Sequence, residues 1–160
     1  MKTNLFQKIG RVLLGSFMIY AGTGHLTFLR DDFQAQVPRW LPDNPAFMDF
    51  VVVSSGVVEI GLGLSMIFNR KYRVETGLVL ATFYTLIFPG NISQYTNQID
   101  AFGLNTDQKR LTRLYFQPVL ILWALWSTGA LTYLINRLKN QHEYDSNLQL
   151  RSGQAERQND

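Results

Sequence analysis

The sequence predicts an all-α membrane protein: an up-down-up-down bundle of four transmembrane helices with both termini cytoplasmic. Three observations predict it. First, the charges of the 160-residue chain fall into separate blocks, at 1–11, 30–49, 69–75, 100–113 and 137–160, and four long apolar stretches lie between them. Second, the last of these stretches, 114–135, has no charged residue, so it lacks the polar face that a helix of a water-soluble bundle presents. Third, glycine recurs inside the stretches, at Gly15, Gly22, Gly24, Gly56, Gly61, Gly63, Gly77 and Gly129. In water each interior glycine weakens a helix by about 1 kcal/mol relative to alanine; in lipid small residues let helices approach closely. The mean hydropathy of the whole chain is near zero because it averages over this segregation, and local windows decide a membrane assignment.

Segment one runs Ile9–Leu29. Lys2, Lys8 and Arg11 precede it as in a signal peptide, but no small-x-small cleavage site and soluble domain follow, so it is expected to be retained. Segment two runs Phe47–Phe68. Segment three, Val74–Ile92, closes just after the helix-ending triplet Phe88-Pro89-Gly90. Segment four is Leu114–Ile135. Each is close to the ~20 residues that a membrane-spanning helix needs. Gly61-x-x-x-Ser65 has the small-x-x-x-small spacing of a helix contact. Val37–Pro45 holds three prolines in nine residues and reads as a stiff, non-helical connector. Residues 1–139 form one membrane domain, and the polar tail 140–160 is expected to be disordered or loosely helical. Eight basic residues (Lys2, Lys8, Arg11, Arg70, Lys71, Arg73, Arg137 and Lys139) lie on the side taken as cytoplasmic, against Arg30, Arg39, Lys109, Arg110 and Arg113 on the other.

The chain has no cysteine, which excludes a disulfide framework, a thiol redox centre and a cysteine-ligated metal or iron–sulfur cluster. A net charge of +3, with the basic residues hugging the apolar segments, points to the lipid bilayer as partner and not to nucleic acid. Glu59 carries the functional signal. It is the one charge in the nineteen residues Phe50–Phe68. A carboxyl so placed needs a partner, a proton or a water-filled cavity. It lies twelve residues into segment two, about 18 Å deep at 1.5 Å per residue. The alternating helix directions bring His25, Asn91, Gln94, Arg113 and Gln117 together at the outer end, above Glu59. Arg113 and Gln117, four apart, share a helix face. The six suggest an outward-opening polar pocket with Glu59 as floor and Arg113 as its natural charge partner. Each also has a structural reading: Arg113 as an interfacial anchor, Gln117 as interhelical glue, Asn91 as a cap for backbone groups freed by the proline. One histidine and one glutamate on different helices are a thin ligand set, so no metal is expected.

Five stretches carry a family resemblance: AGTGHLTF (Ala21–Phe28), VPRWLPDNP (Val37–Pro45), SGVVEIGLGL (Ser55–Leu64), FPGNI (Phe88–Ile92) and RLYFQPVLILWALW (Arg113–Trp126). In this order and spacing the chain resembles the DoxX family of small four-helix membrane proteins, departing from it at Leu26, where relatives carry an aromatic residue, and at Gly90, where alanine is common. The resemblance places polar positions at His25, Glu59, Asn91, Arg113 and Gln117, and it implies a bacterial inner membrane. It also links the chain to thiosulfate:quinone oxidoreductases and redox-stress assemblies. The expected function is a binding or accessory role without a redox centre of its own, the pocket taking a small amphipathic ligand or a segment of a protein partner in a membrane complex. The alternative is a membrane subunit of a quinone-linked oxidoreductase, with quinone as cofactor hydrogen-bonded to His25 and Arg113, and Glu59 or His25 relaying protons.

Overall fold

The computed structural model describes residues 3–38, 40–42 and 44–158; Lys2, Arg39, Asp43 and the last two residues, which entered the charge and loop expectations, lie outside the described residues. Among the described residues the regular structure is entirely helical: α1 (Leu5–Leu26), α2 (Arg30–Ala35), α3 (Pro45–Phe68), α4 (Arg73–Thr96), α5 (Asp107–Thr128) and α6 (Ala130–Gln158). They divide into two compact units, Met1–Ala130 and Leu131–Asp160.

Local chemistry sets the helix starts. At α1 the Asn4 side chain accepts from the Gln7 amide at 2.8 Å and the Gln7 side chain accepts from the Asn4 amide at 3.0 Å, a reciprocal capping box. At α3 the Asn44 side chain accepts from the Ala46 amide and Pro45 occupies the first turn, where its missing N–H costs nothing. Thr106 caps α5.

Three expectations are corrected. The third stretch does not stop after Pro89-Gly90: α4 continues through Pro89 to Thr96. Pro89 cannot donate to the Thr85 carbonyl four residues back; beside it the Gln117 side chain donates to the Tyr84 carbonyl at 2.6 Å, so tertiary packing holds the turn that the proline weakens. The fourth stretch is not one helix. It divides at Gly129, whose φ of 81° forms a left-handed cap; a lone glycine in an uncharged run reads through in a sequence. The proline-rich connector is non-helical over its described residues up to Pro45, as expected, and a short helix, α2, precedes it within the charged block. In the second unit α6 runs on through the polar tail to Gln158, where the sequence left disordered or loosely helical chain. By length and composition, α3 and α4 are long and apolar enough to cross a membrane; α5 and residues 130–147 qualify only when taken together.

The first unit is held by glycine. α1 and α3 run antiparallel and touch backbone to backbone at two points seven residues apart. A Cβ added at Gly63 would lie 2.6 Å from the Gly15 carbonyl oxygen, and one at Gly22 would lie 2.6 Å from the Gly56 carbonyl oxygen. The contact expected at Gly61-x-x-x-Ser65 is not made: a Cβ at Gly61 meets nothing within 4 Å. α1 meets α5 where Gly10 packs on Trp123 and Trp126, and Trp123 Nε1 donates to the Gly10 carbonyl at 3.1 Å. α4 meets α5 where Gly77 lies under Thr128. Leu14, Met18, Met66, Leu80, Tyr84 and Ala124 fill the core.

The polarity is inverted. Phe17, Phe50, Val57, Phe68, Val79, Leu86, Val119 and Leu122 are exposed, while Arg11, His25, Glu59, Asn91, Gln94, Arg110 and Gln117 are buried. Because the α1–α3 seam tolerates no Cβ, Gly63→Ala is expected to destabilise the protein by about 1–3 kcal/mol. Gly61→Ala should stay within about 0.5 kcal/mol of the parent or gain stability. Thermal unfolding in detergent measures both, and equal effects would contradict the seam.

Candidate functional site

The glycine seam also aligns the polar pair. Gly56, Glu59 and Gly63 recur at i, i+3 and i+7 and so share one face of α3. His25 stands three residues beyond Gly22 on the matching face of α1. Gly56 leaves the room: a Cβ there would lie 2.7 Å from the His25 Cβ. The result is a contact of 3.3 Å between His25 Nε2 and Glu59 Oε2, with His25 only 6% and Glu59 only 5% exposed.

Hydrogen bonding assigns the imidazole tautomer. His25 Nδ1 lies 3.2 Å from the Val52 carbonyl oxygen and 3.4 Å from Ser55 Oγ. A carbonyl oxygen only accepts, so Nδ1 carries the proton. A neutral ring then turns the lone pair of Nε2 toward the carboxyl. The two facing atoms are near enough for an ion pair, but they lack hydrogen-bond geometry, and neither has another hydrogen-bond partner. A buried acceptor left in that state costs roughly 1–3 kcal/mol.

A cavity of about 510 Å³ opens at this pair, within the usual range for a small-molecule site. His25, Glu59, Asn91, Arg113 and Gln117 all line it, among mostly apolar neighbours. Gln94 is not on the wall. It is 1% exposed and its amide donates to the Ile99 and Ala101 carbonyls, tying down the α4–α5 connection.

Arg113, expected to pair with Glu59, is engaged elsewhere. Its Nη2 donates to Gln36 Oε1 at 2.9 Å, and its guanidinium sits 4.2 Å from the centre of the Phe102 ring. Gln36 Nε2 donates in turn to Gln94 Oε1 at 2.7 Å and Asn91 Oδ1 at 3.3 Å. Asn91 Nδ2 donates to Gln117 Oε1 at 2.9 Å. Asn91 and Gln117 are thus links in one side-chain chain, which ends on the Tyr84 carbonyl beside the proline turn.

Two segments lie across the end of the first unit nearest His25. α2 is clamped to α3 by Arg30, whose Nε and Nη2 reach Asp49 Oδ1 and Oδ2 at 2.7 and 2.6 Å. That carboxylate raises the Arg30 pKa. Phe33 of α2 stacks on the His25 ring, centroids 3.4 Å apart, and meets Phe102 edge-on at 4.6 Å. The connection carrying Phe102 is pinned by Asp32 Oδ1, which accepts from the Phe102 amide at 2.8 Å. It is also pinned by Arg110, bonded to Asp100, Asp107 and the Ile99 carbonyl. Phe102 has a φ of 57°, a left-handed conformation rare for a bulky residue.

Sequence reasoning missed Gln36, Phe33 and Phe102. All three lie in or beside charged connecting segments, where hydropathy gives no sign of an inward side chain. Gln36 bridges three groups, Arg113, Asn91 and Gln94, so Gln36→Ala should cost about 1–3 kcal/mol by leaving buried amides unpaired. Gln34→Ala, which removes one bond to half-exposed Asp49, should stay within about 0.5 kcal/mol. Thermal unfolding in detergent compares them, and similar losses would contradict the central place of Gln36.

The sequence model of a family described as Domain of unknown function (DUF8561) matches residues 14–128, a span that contains the seam, the cavity and all six residues above. No curated protein matches the chain, and no solved structure does. The chain belongs to the DUF8561 family.

Proposed function

We propose that this DUF8561 member is an integral membrane protein in which α1, α3, α4 and α5 are the four spans and both termini are cytoplasmic. In this reading it binds a small amphipathic molecule in the His25–Glu59 cavity, in a binding or accessory role. One observation carries the binding: His25 Nε2 and Glu59 Oε2 are buried, face each other and lack hydrogen-bond partners on the wall of a largely apolar cavity. A ligand's polar end supplies what the protein withholds, a donor or acceptor for each atom. Its apolar body lies against Met18, Ile87 and Leu120.

Support for the membrane comes from the inverted polarity, the apolar length of α3 and α4, and the basic residues flanking the apolar segments. Arg110 is neutralised by two carboxylates and Arg113 faces the cavity, which deepens the deficit of free positive charge at the outer end. The DoxX resemblance agrees with this reading and suggests a bacterial plasma membrane.

The protein is expected to stay with the membrane pellet after alkaline carbonate extraction; release into the supernatant would defeat the membrane reading. Mass spectrometry of small molecules co-purifying in mild detergent should find a species retained by the parent and reduced about tenfold by Glu59→Gln, the equivalent of ~1.4 kcal/mol. Identical contents in both would remove Glu59 from binding.

A second reading, a subunit of a quinone-linked oxidoreductase, draws on the imidazole and carboxyl 3.3 Å apart, a pair able to hold and pass a proton. Quinone reduction by membranes bearing Glu59→Gln or His25→Ala tests it: a fall in rate supports the reading, and unchanged rates in both exclude these residues from that role.

A further inference from the structure

We propose that the ligand enters the cavity sideways, out of the lipid, through the gap between α1 and α5, and is therefore a bilayer-soluble molecule and not a water-borne solute. The proposal rests on the membrane reading above and adds the route and the class of ligand.

Three observations carry it. The outer end is covered by parts bonded to one another: Phe33 on His25, Asp32 to the Phe102 amide, Arg113 on Phe102 and to Gln36, and Gln36 to Asn91 and Gln94. A solute arriving from water would have to part most of these contacts at once. The side, by contrast, is open. α1 and α5 touch where Gly10 meets Trp123 and Trp126. Followed along two antiparallel helices, that register sets Phe17 and Tyr20 level with Phe116. These three line the cavity, yet they are 51%, 60% and 56% exposed. Residues that face both a cavity and the exterior mark a mouth; Leu86 of α4, also on the wall and 72% exposed, marks the rival side, but the three aromatic residues sit together on the facing edges of α1 and α5. Finally, the rim is apolar. With Ala21 and Leu120 it offers no charge to a hydrated ion, while an apolar body passes along it and brings its polar end to His25 and Glu59.

The absence of cysteine makes the route measurable. Met18 lines the cavity and is 1% exposed, so Met18→Cys places a single thiol inside. In phosphatidylcholine vesicles, labelling by N-phenylmaleimide is compared with labelling by a sulfonated, membrane-impermeant maleimide, each rate normalised to the unfolded chain. The lipid-soluble reagent should react about tenfold faster or more. Ala21→Trp, which narrows the gap, should slow it about tenfold, and Phe116→Ala, which widens the gap, should speed it severalfold. Leu86→Trp, on the α4 side of the cavity, should leave the rate unchanged. Equal rates for the two reagents, no labelling by either, or slowing by Leu86→Trp without an effect at Ala21 and Phe116 would each overturn the route. Carbonate extraction of the same protein reads membrane insertion separately, so a protein that stays in the membrane but labels from water defeats this proposal alone.

Discussion

The approach of α1 to α3 without intervening side chains is the constraint on which the first unit depends. At Gly15–Gly63 and Gly22–Gly56 one helix backbone rests on the other. Glycine is costly inside a helix, and the return here is geometric. With the gap closed, His25 leans on Gly56 and comes within 3.3 Å of Glu59. Seam and site thus share one set of residues, and the polar pair inherits the rigidity of a backbone-to-backbone contact.

Around that seam the usual arrangement of side chains is turned inside out. The interior of the first unit holds an imidazole, a carboxyl, guanidinium groups and carboxamides, and phenylalanine, leucine and valine cover much of its exterior. Interior polar groups are tolerable when each finds a partner. Here the carboxamides do: Gln36, Asn91, Gln94 and Gln117 satisfy one another and two backbone turns. The His25–Glu59 pair does not. With these carboxamides paired, the omission at the cavity is informative, because the fold satisfies the amides around the site and leaves its two facing atoms open.

Much of this was legible in the chain. Glu59 stood out because one charge in nineteen apolar residues has few innocent explanations. His25, Asn91, Arg113 and Gln117 followed from depth along alternating helices, and all line one cavity. Four long helices were legible from the charge blocks, although the third ran on through its proline and the fourth broke at Gly129. What stayed hidden was tertiary. The group that faces Glu59 is His25, whereas charge alone favoured Arg113, and a stack on Phe102 with a bond to Gln36 holds that arginine aside. Hydropathy cannot separate an inward glutamine from a surface one in a charged connector, so Gln36 gave no signal. Nor does spacing alone say which glycines touch: Gly61 fitted the motif and faces open space, while Gly56 and Gly63 carry the contact.

Phe102 is held and not at rest. Its left-handed backbone costs a residue with a bulky side chain roughly 1–2 kcal/mol, and the Asp32 carboxylate and the Arg113 guanidinium offset that cost from either side. A latch of this kind stores tension. Should the guanidinium turn away to meet an incoming group, one of its restraints is gone, and the backbone is biased toward an ordinary conformation. Occupancy beneath would then be felt above, as a loosened segment at the surface, without any helix having to move.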